Sequence, residues 1–235
     1  MSISKIWTLF KLGIEDLTKN LNVFIYVILP IAFALIYSNL DTLTNEFTFS
    51  LCVLLNIAMV PVALMGTIIA EEKEKNTLRT LMLNNVKATE ILIAKALICL
   101  LFVVVDNIVI YLLVDLPMNE FLAYQLVGLF VGLAVIFFGA VVGLLSKNQM
   151  SAGLLSMPFM IIFMAPLFIA MTDNQIVSKI SSFLPTDAMM TIFHDISSHT
   201  ATFSNIDMPL LVIAVWFIVS IIMFNLVYKK VGVDN

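Results

Sequence analysis

Six apolar segments, each about as long as a membrane is thick, constrain the fold of this chain more than any other feature. A helix needs about 20 consecutive, mostly apolar residues to cross a bilayer. Hydrophobic residues make up 61% of the 235 and charged residues only 12%, whereas soluble domains carry about 25% charged residues. The sequence therefore predicts an all-α polytopic membrane protein with one transmembrane domain over residues 1–235. The predicted spans are 21–40, 51–70, 91–114, 121–145, 150–172 and 209–228.

Basic residues are biased towards one side of the predicted membrane. If the N-terminus is inside, Lys179 is the only one of the 12 Lys and Arg residues that falls outside. By the positive-inside rule, this asymmetry predicts that both termini are cytoplasmic. The segment 71–90 then becomes a cytoplasmic loop, and the segment 173–208 lies on the outer side.

Residues 1–20 predict an amphipathic helix at the inner membrane surface. Its apolar residues recur at helical spacing and fall on one stripe. Such a helix can lie flat in the interface. Two roles stay open, since the helix can simply anchor the first span or can also contact a cytoplasmic partner. The stripe consists of Ile3, Ile6, Trp7, Phe10, Ile14, Leu17 and Leu21.

The loop 71–90 carries the densest charge in the chain. Residues 74–83 predict a short helix on which Leu78, Leu81 and Met82 share a face. An apolar face on a charged helix suits a groove in another protein. The alternative is a solvated loop that only satisfies the charge rule for membrane topology.

The same loop resembles the signature region of ABC-2 type permeases, the membrane subunits of ATP-driven exporters. The matching positions are Glu72-Lys73-Glu74, Thr77-Leu78, Leu81-Met82, Val86, Glu90-Ile91 and Lys95. The sequence departs from the family pattern at Asn76 and Ala94, where Gly is usual, at Arg79, where Glu is usual, and at Asn85, where Pro is usual. Lys87 stands at a usual Ser or Thr position, which predicts the loss of a capping box with Glu90.

The resemblance implies a partnership with a cytoplasmic ABC ATPase, present in two copies, and with a second permease, identical or homologous. It also implies short helices that dip back into the outer leaflet within 173–208. The chain has no Gly-x-x-x-x-Gly-Lys-Ser/Thr phosphate cradle, so ATP and Mg are expected on the partner, and this chain is expected to bind no cofactor and to catalyse no reaction. The predicted ATPase-docking residues are Glu71, Glu72, Glu74, Thr77, Leu78, Arg79, Leu81, Met82 and Glu90.

Asp106 lies deep in the third span beside Asn107, and Asn56 in the second span is a further polar residue at membrane depth. An ionised carboxylate at this depth costs at least ~2.5–3.5 kcal/mol on insertion scales, so it should face protein or water. Two interpretations stay open: a lining residue of a substrate or proton path, and a packing residue that is protonated or hydrogen-bonded.

Small residues and prolines mark the fourth and fifth spans. Four glycines fall on one face of the fourth span, where they let helices approach closely, either within the chain or between subunits. Pro158 and Pro166 predict kinks in the fifth span. The glycines are Gly128, Gly132, Gly139 and Gly143.

The function predicted from these features is outward export of an amphipathic or hydrophobic cargo, such as a drug, a lipid or a peptide toxin. The direction of transport comes from the resemblance. The expected location is the bacterial cytoplasmic membrane, in contact with lipid and with no nucleic-acid partner. The alternatives are an ATP-independent carrier or channel and an intramembrane enzyme. No spacing of His, Cys or acidic residues predicts a metal site.

Overall fold

The computed structural model describes residues 2–40, 43–83, 86–169 and 175–231, and within them the chain is almost wholly helical. The fold class predicted from the apolar segments is confirmed. The helices in chain order are α1 (Ile3–Lys19), α2 (Leu21–Tyr37), α3 (Asn45–Ala58), a π-helical segment (Met59–Leu64), α4 (Met65–Glu74), α5 (Thr77–Leu83), α6 (Ala88–Val114), α7 (Phe121–Leu145), α8 (Gln149–Ile169), α9 (Gln175–Ser181), α10 (Pro185–Ser197) and α11 (Phe203–Val231).

Within the described ranges, five helical stretches are long and apolar enough to cross a membrane. The first predicted span, 21–40, is shorter than expected, because α2 ends at Tyr37 and the chain turns at Ser38 and Asn39. At about 1.5 Å per residue, α2 is about 25 Å long, against about 30 Å for the hydrocarbon core. The fourth predicted span, 121–145, coincides with α7. The last three residues of the fifth predicted span, 170–172, lie outside the described residues.

The second span is longer at both ends than the predicted 51–70. Its helical stretch runs from Asn45 to Glu74 and includes the π-helical segment. The side chain of Thr44 caps the start by accepting a hydrogen bond from the N–H of Phe47. Residues 71–74 had been assigned to the loop because they are charged, but they continue the helix beyond its apolar part. The charged segment is therefore an extension of a membrane span.

The second span occupies the centre of the bundle. Its most apolar 18-residue window is completely buried, whereas the corresponding windows of α8 and α11 are 22% and 11% buried. α8 and α11 therefore present most of their apolar surface outwards, where lipid or a further subunit would cover it. α8 continues as a helix through both Pro158 and Pro166.

Close contact between the second span and α7 depends on glycine. A Cβ atom on Gly139 would overlap the carbonyl oxygen of Pro61 in the π-helical segment, and one on Gly143 would lie 2.9 Å from the carbonyl oxygen of Gly66. On the same face, Gly128 lies against the Asn107 side chain of α6. The described contacts of the α7 glycines are thus with helices of the same chain.

Two short helices precede the last span, in the segment where the resemblance implies helices of the outer leaflet. Pro185 opens α10, and Phe193 near its end is buried in an aromatic cluster with Phe49, Tyr111 and Tyr124. The Tyr124 hydroxyl donates a hydrogen bond to the carbonyl oxygen of Phe193 at 3.3 Å. This cluster joins α10 to the ends of α3, α6 and α7. Residues 173 and 174 lie outside the described residues.

The close packing at Gly139 predicts that a substitution which adds one methyl group there destabilises the protein. Gly139→Ala should lower the free energy of unfolding by about 1–3 kcal/mol, because the added methyl group must displace the backbone of the π-helical segment. Gly132→Ala is the matched control on the same helix, since a Cβ atom there would meet its nearest neighbour at 3.4 Å, an ordinary contact. Thermal unfolding in detergent or nanodiscs measures both, and equal stability of the two variants would contradict the close helix approach.

Candidate partner-docking surface

One end of the bundle, here called the loop end, gathers the α1–α2, α4–α5 and α7–α8 joints and the start of α6. The last turn of α4 carries the charged residues 71–74. Each of these four side chains contacts a different part of the loop end within the chain. The predicted docking loop is therefore first of all a junction that holds helix ends together.

Lys73 and Glu74 fix the joint between α7 and α8. The ammonium group of Lys73 donates hydrogen bonds to the carbonyl oxygens of Leu144, at 2.6 Å, and Ser146, at 2.9 Å. Glu74 accepts a hydrogen bond from the N–H of Gln149 at 3.1 Å. A cation at a helix C-terminus and an anion at a helix N-terminus both oppose the local partial charge of the backbone. The α4 end thus caps both helices of the joint.

Glu72 forms the most enclosed ion pair of the loop end. Its carboxylate lies 2.6 Å from the ammonium group of Lys95 on α6, with side-chain exposures of 14% and 7% respectively. The hydroxyl of Thr77 donates a second hydrogen bond to Glu72 at 2.7 Å. The side chain therefore joins α4, α5 and α6.

Glu71 joins α4 to the connection between α1 and α2. It accepts a hydrogen bond from the side-chain amide of Asn20 at 3.1 Å and pairs with Lys75 one turn later. The hydrogen bond and the negative charge of Glu71 raise the pKa of Lys75, so the ammonium form is favoured. Because Lys75 is 62% exposed, this second ion pair is screened by solvent and contributes little to stability.

A tight turn at Asn76 separates α4 from α5, which corrects the single helix predicted over 74–83. Asn76 has a φ of 55°, in the left-handed region. Glycine adopts this conformation without cost, and asparagine is one of the few other residues that visits it readily. Asn76 therefore supports the turn at the position where the similar family pattern carries Gly.

α5 presents a mixed surface. Leu83 is 78% exposed, and Thr77 and Thr80 are also exposed. Leu81 instead packs inwards against a small core formed by Ile6 and Leu9 of α1 and by Ile91 and Ala94 of α6. The side chains of Leu78, Arg79 and Met82 lie outside the described residues, as does Asn85. Leu83, which the prediction did not include, is thus the described apolar side chain that projects from α5.

Glu90 is buried, and its carboxylate is used within the chain. It is 2% exposed and accepts hydrogen bonds from the N–H groups of Ser2, at 2.6 Å, and Lys87, at 3.1 Å. The predicted loss of the capping box therefore applies only to the Lys87 side chain, because Glu90 still caps the backbone at the start of α6. Through Ser2, it also fastens the beginning of α1, and it presents almost no surface to a partner.

α1 lies against α6 rather than only in the membrane interface. A Cβ atom on Gly13 would overlap the Ile98 side chain, so the two helices approach closely there. Leu9 and Leu17 are buried, whereas Ile3 and Trp7 of the predicted stripe are 83% and 55% exposed. The apolar face that packs on α6 is thus rotated from the predicted stripe, and Ile3 and Trp7 remain for lipid or another protein.

A cavity of about 420 Å³ opens between α1, α4, α5 and α6. Leu12 and Leu81 are among its apolar lining residues, and Asp16, Glu72 and Lys95 are among its charged ones. Its volume lies within the usual range for clefts that bind small molecules or anchoring side chains. Together with the exposed side of α5, this cleft forms the candidate docking surface.

The three predicted intramembrane polar residues lie elsewhere, in the bundle core. Asn56, Asp106 and Asn107 are at most 1% exposed. The side-chain amide of Asn56 donates to Asn107 Oδ1 at 2.8 Å and to the carbonyl oxygen of Val103 at 3.1 Å. In this conformation they are enclosed by protein and do not line an open path.

A comparison with protein families identifies the chain. A family model described as "ABC-2 family transporter protein" matches residues 19–226. The match covers most of the sequence, so the chain belongs to the ABC-2 transporter family. A search of curated proteins finds none that matches the chain.

The Glu72–Lys95 and Glu71–Lys75 ion pairs should contribute unequally to stability. Lys95→Met should lower the free energy of unfolding by about 3 kcal/mol, because it leaves the enclosed Glu72 carboxylate without its partner. Lys75→Met, which removes the exposed partner of Glu71, should cost less than about 1 kcal/mol. Denaturant or thermal unfolding compares them, and equal losses would show that the Glu72–Lys95 pair is not enclosed as described.

Proposed function

We propose that this chain is the membrane permease of an ATP-driven exporter and that its loop end is the cytoplasmic docking surface for an ABC ATPase. The family membership supports a transport role, and the chain's own geometry supports the site of docking. The single observation that carries the proposal is the continuity of the second span with the charged turn. α5 follows directly on a 30-residue helical stretch that passes through the centre of the bundle.

This continuity gives a physical route from a soluble partner to the membrane. Force applied to α5 acts on the end of a helix that is buried along its apolar length. Because packed interiors are dense and have low compressibility, a displacement of this helix must be taken up by the helices around it. A partner that changes shape during ATP hydrolysis can therefore shift the bundle, provided that it contacts the two states differently.

The docking surface proposed here differs from the one predicted from the sequence. Glu71, Glu72 and Glu74 act as internal ties, and Glu90 is buried. The exposed part includes Leu83, the threonine side of α5 and the mouth of the cleft between α1, α4, α5 and α6, with Glu74 and Lys75 also exposed. Arg79, Leu78 and Met82 stay predicted contacts. An apolar anchor such as Leu83, surrounded by polar groups, fits the usual anatomy of a protein interface.

The assembly proposed contains two ATPases and two permeases, the second permease being identical or homologous. ATP and Mg would be held by the ATPases. The cargo proposed is amphipathic or hydrophobic, because α8 and α11 expose apolar surface and the described spans carry few polar groups. Both termini and the loop end would face the cytoplasm of a bacterial cell, and transport would run outwards.

Co-purification tests the docking surface. Leu83→Asp should reduce the amount of ATPase that is recovered with the chain by about tenfold or more, since it places a charge on the exposed apolar anchor. Met118→Asp is the matched control, because Met118 is 68% exposed in the α6–α7 turn at the opposite end. Undiminished recovery with Leu83→Asp, or the absence of any ATPase from the wild-type preparation, would refute the proposal.

Labelling of intact cells tests the orientation. Cys52 and Cys99 are both fully buried, so they should react little with a maleimide in the folded protein. A membrane-impermeant maleimide should label Met118→Cys in intact cells and should label Leu83→Cys only after permeabilisation. Labelling of Leu83→Cys in intact cells would place the loop end outside and would rule out a cytoplasmic partner there.

A further inference from the structure

Asp106 is a buried acid for which the described part of the chain offers no partner. Its residue exposure is 0%, and neither carboxyl oxygen has a hydrogen-bond partner. It lies inside α6, eight residues or about 12 Å before the helix ends at Val114. A carboxylate isolated from water in this way strongly favours neutralisation over ionisation.

No described cation can neutralise Asp106. On its own helix the basic residue is Lys95, eleven residues or about 16 Å away, and Lys95 is paired with Glu72. Apart from α1 and α4, whose charged residues belong to the loop end, the elements that pack on α6 carry these titratable groups: Tyr26 and Tyr37 on α2, Glu46 and Cys52 on α3, and Tyr124 on α7. None of these five groups carries a positive charge. The acid among them, Glu46, lies ten residues from Asn56 along α3.

The unpaired groups of the two amides in the bundle core also favour the neutral acid. Asn56 Oδ1 is an acceptor without a partner, and Asn107 Nδ2 is a donor without a partner. An ionised Asp106 would bring two further acceptors and no donor to this group, whereas a neutral acid brings one donor and one acceptor. With the neutral acid, the unpaired donor and acceptor groups become equal in number, whereas with the ionised acid the acceptors are in excess.

We infer that Asp106 is a proton-binding site, whose carboxyl group is held as the neutral acid in the bundle core. The proton is taken up from water, and no other bond changes. The ligand is thus a proton rather than a metal cation. This inference does not depend on the identity of the cargo or on the presence of an ATPase.

Infrared spectroscopy of the full chain in nanodiscs tests the site directly. At pH 7, the wild-type protein should show the carbonyl stretching band of a protonated carboxylic acid, and the band should shift in D₂O. Asp106→Asn should abolish it. Asp187 on α10 is the acid to control for, because partial burial raises the pKa of its carboxyl group. Asp187→Asn should leave the band in place.

Three results would overturn the inference: no acid band in the wild-type protein at pH 7, a band that survives Asp106→Asn, or a band that disappears when Na⁺ is added at constant pH. The last result would identify a cation site. If Asp106→Asn does not fold, isotope labelling of aspartate carboxyl groups in the wild-type protein and in Asp187→Asn gives the same decision. A band that does not respond to aspartate labelling would also reject Asp106 as its source.

Discussion

The close approach of the second span to α7 is the contact on which the rest of the bundle depends. It exists because glycines at positions 139 and 143 let α7 reach the backbone of the neighbouring helix, where a side chain would not fit. Pro61 lies at the same place, in a π-helical segment. Since proline has no backbone N–H to donate, the wider local winding occurs where a regular helix would already lack a hydrogen bond. The second span can therefore be enclosed on all sides while α8 and α11 remain at the periphery.

At the loop end, charged side chains hold the helices together, as close packing does in the core. The last turn of α4 carries both acidic and basic side chains. They contact helix termini or side chains of opposite charge. Lys73 faces the carbonyl end of α7, and Glu74 faces the amide end of α8. The Lys73 hydrogen bonds are partly shielded from water, so salt screens them less than it screens the exposed Lys75–Glu71 pair.

The spans could be predicted from the sequence because they depend on local composition. Runs of apolar residues identify α7 to the residue and the ends of the other membrane spans to within six residues. The ends were less predictable, because a charged residue such as Glu71 can either leave the helix or continue it beyond the bilayer. The structure shows that α4 continues to Glu74, where the side chains of its last turn contact Asn20 and Gln149. The resemblance singled out this segment as a docking loop, but it could not show that Glu90 and Glu72 are engaged within the chain.

The turn at Asn76 shows where local chemistry was sufficient and where it was not. The family pattern usually carries glycine at this position, and asparagine also tolerates the left-handed backbone that the turn requires. By contrast, the burial of Leu81 and the exposure of Leu83 depend on where α1 lies, which no periodicity within residues 77–83 encodes. Long-range packing, rather than helix propensity, thus decides which side of α5 is available.

The ties made by α4 also determine how mechanical load would spread. Glu71 is bound to the α1–α2 connection, Glu72 to α6, and Lys73 and Glu74 to the two sides of the α7–α8 joint. A force applied to this end would therefore act on all of these helices together. We therefore expect the junction to stay together under load, so that deformation would occur mainly farther along the helices.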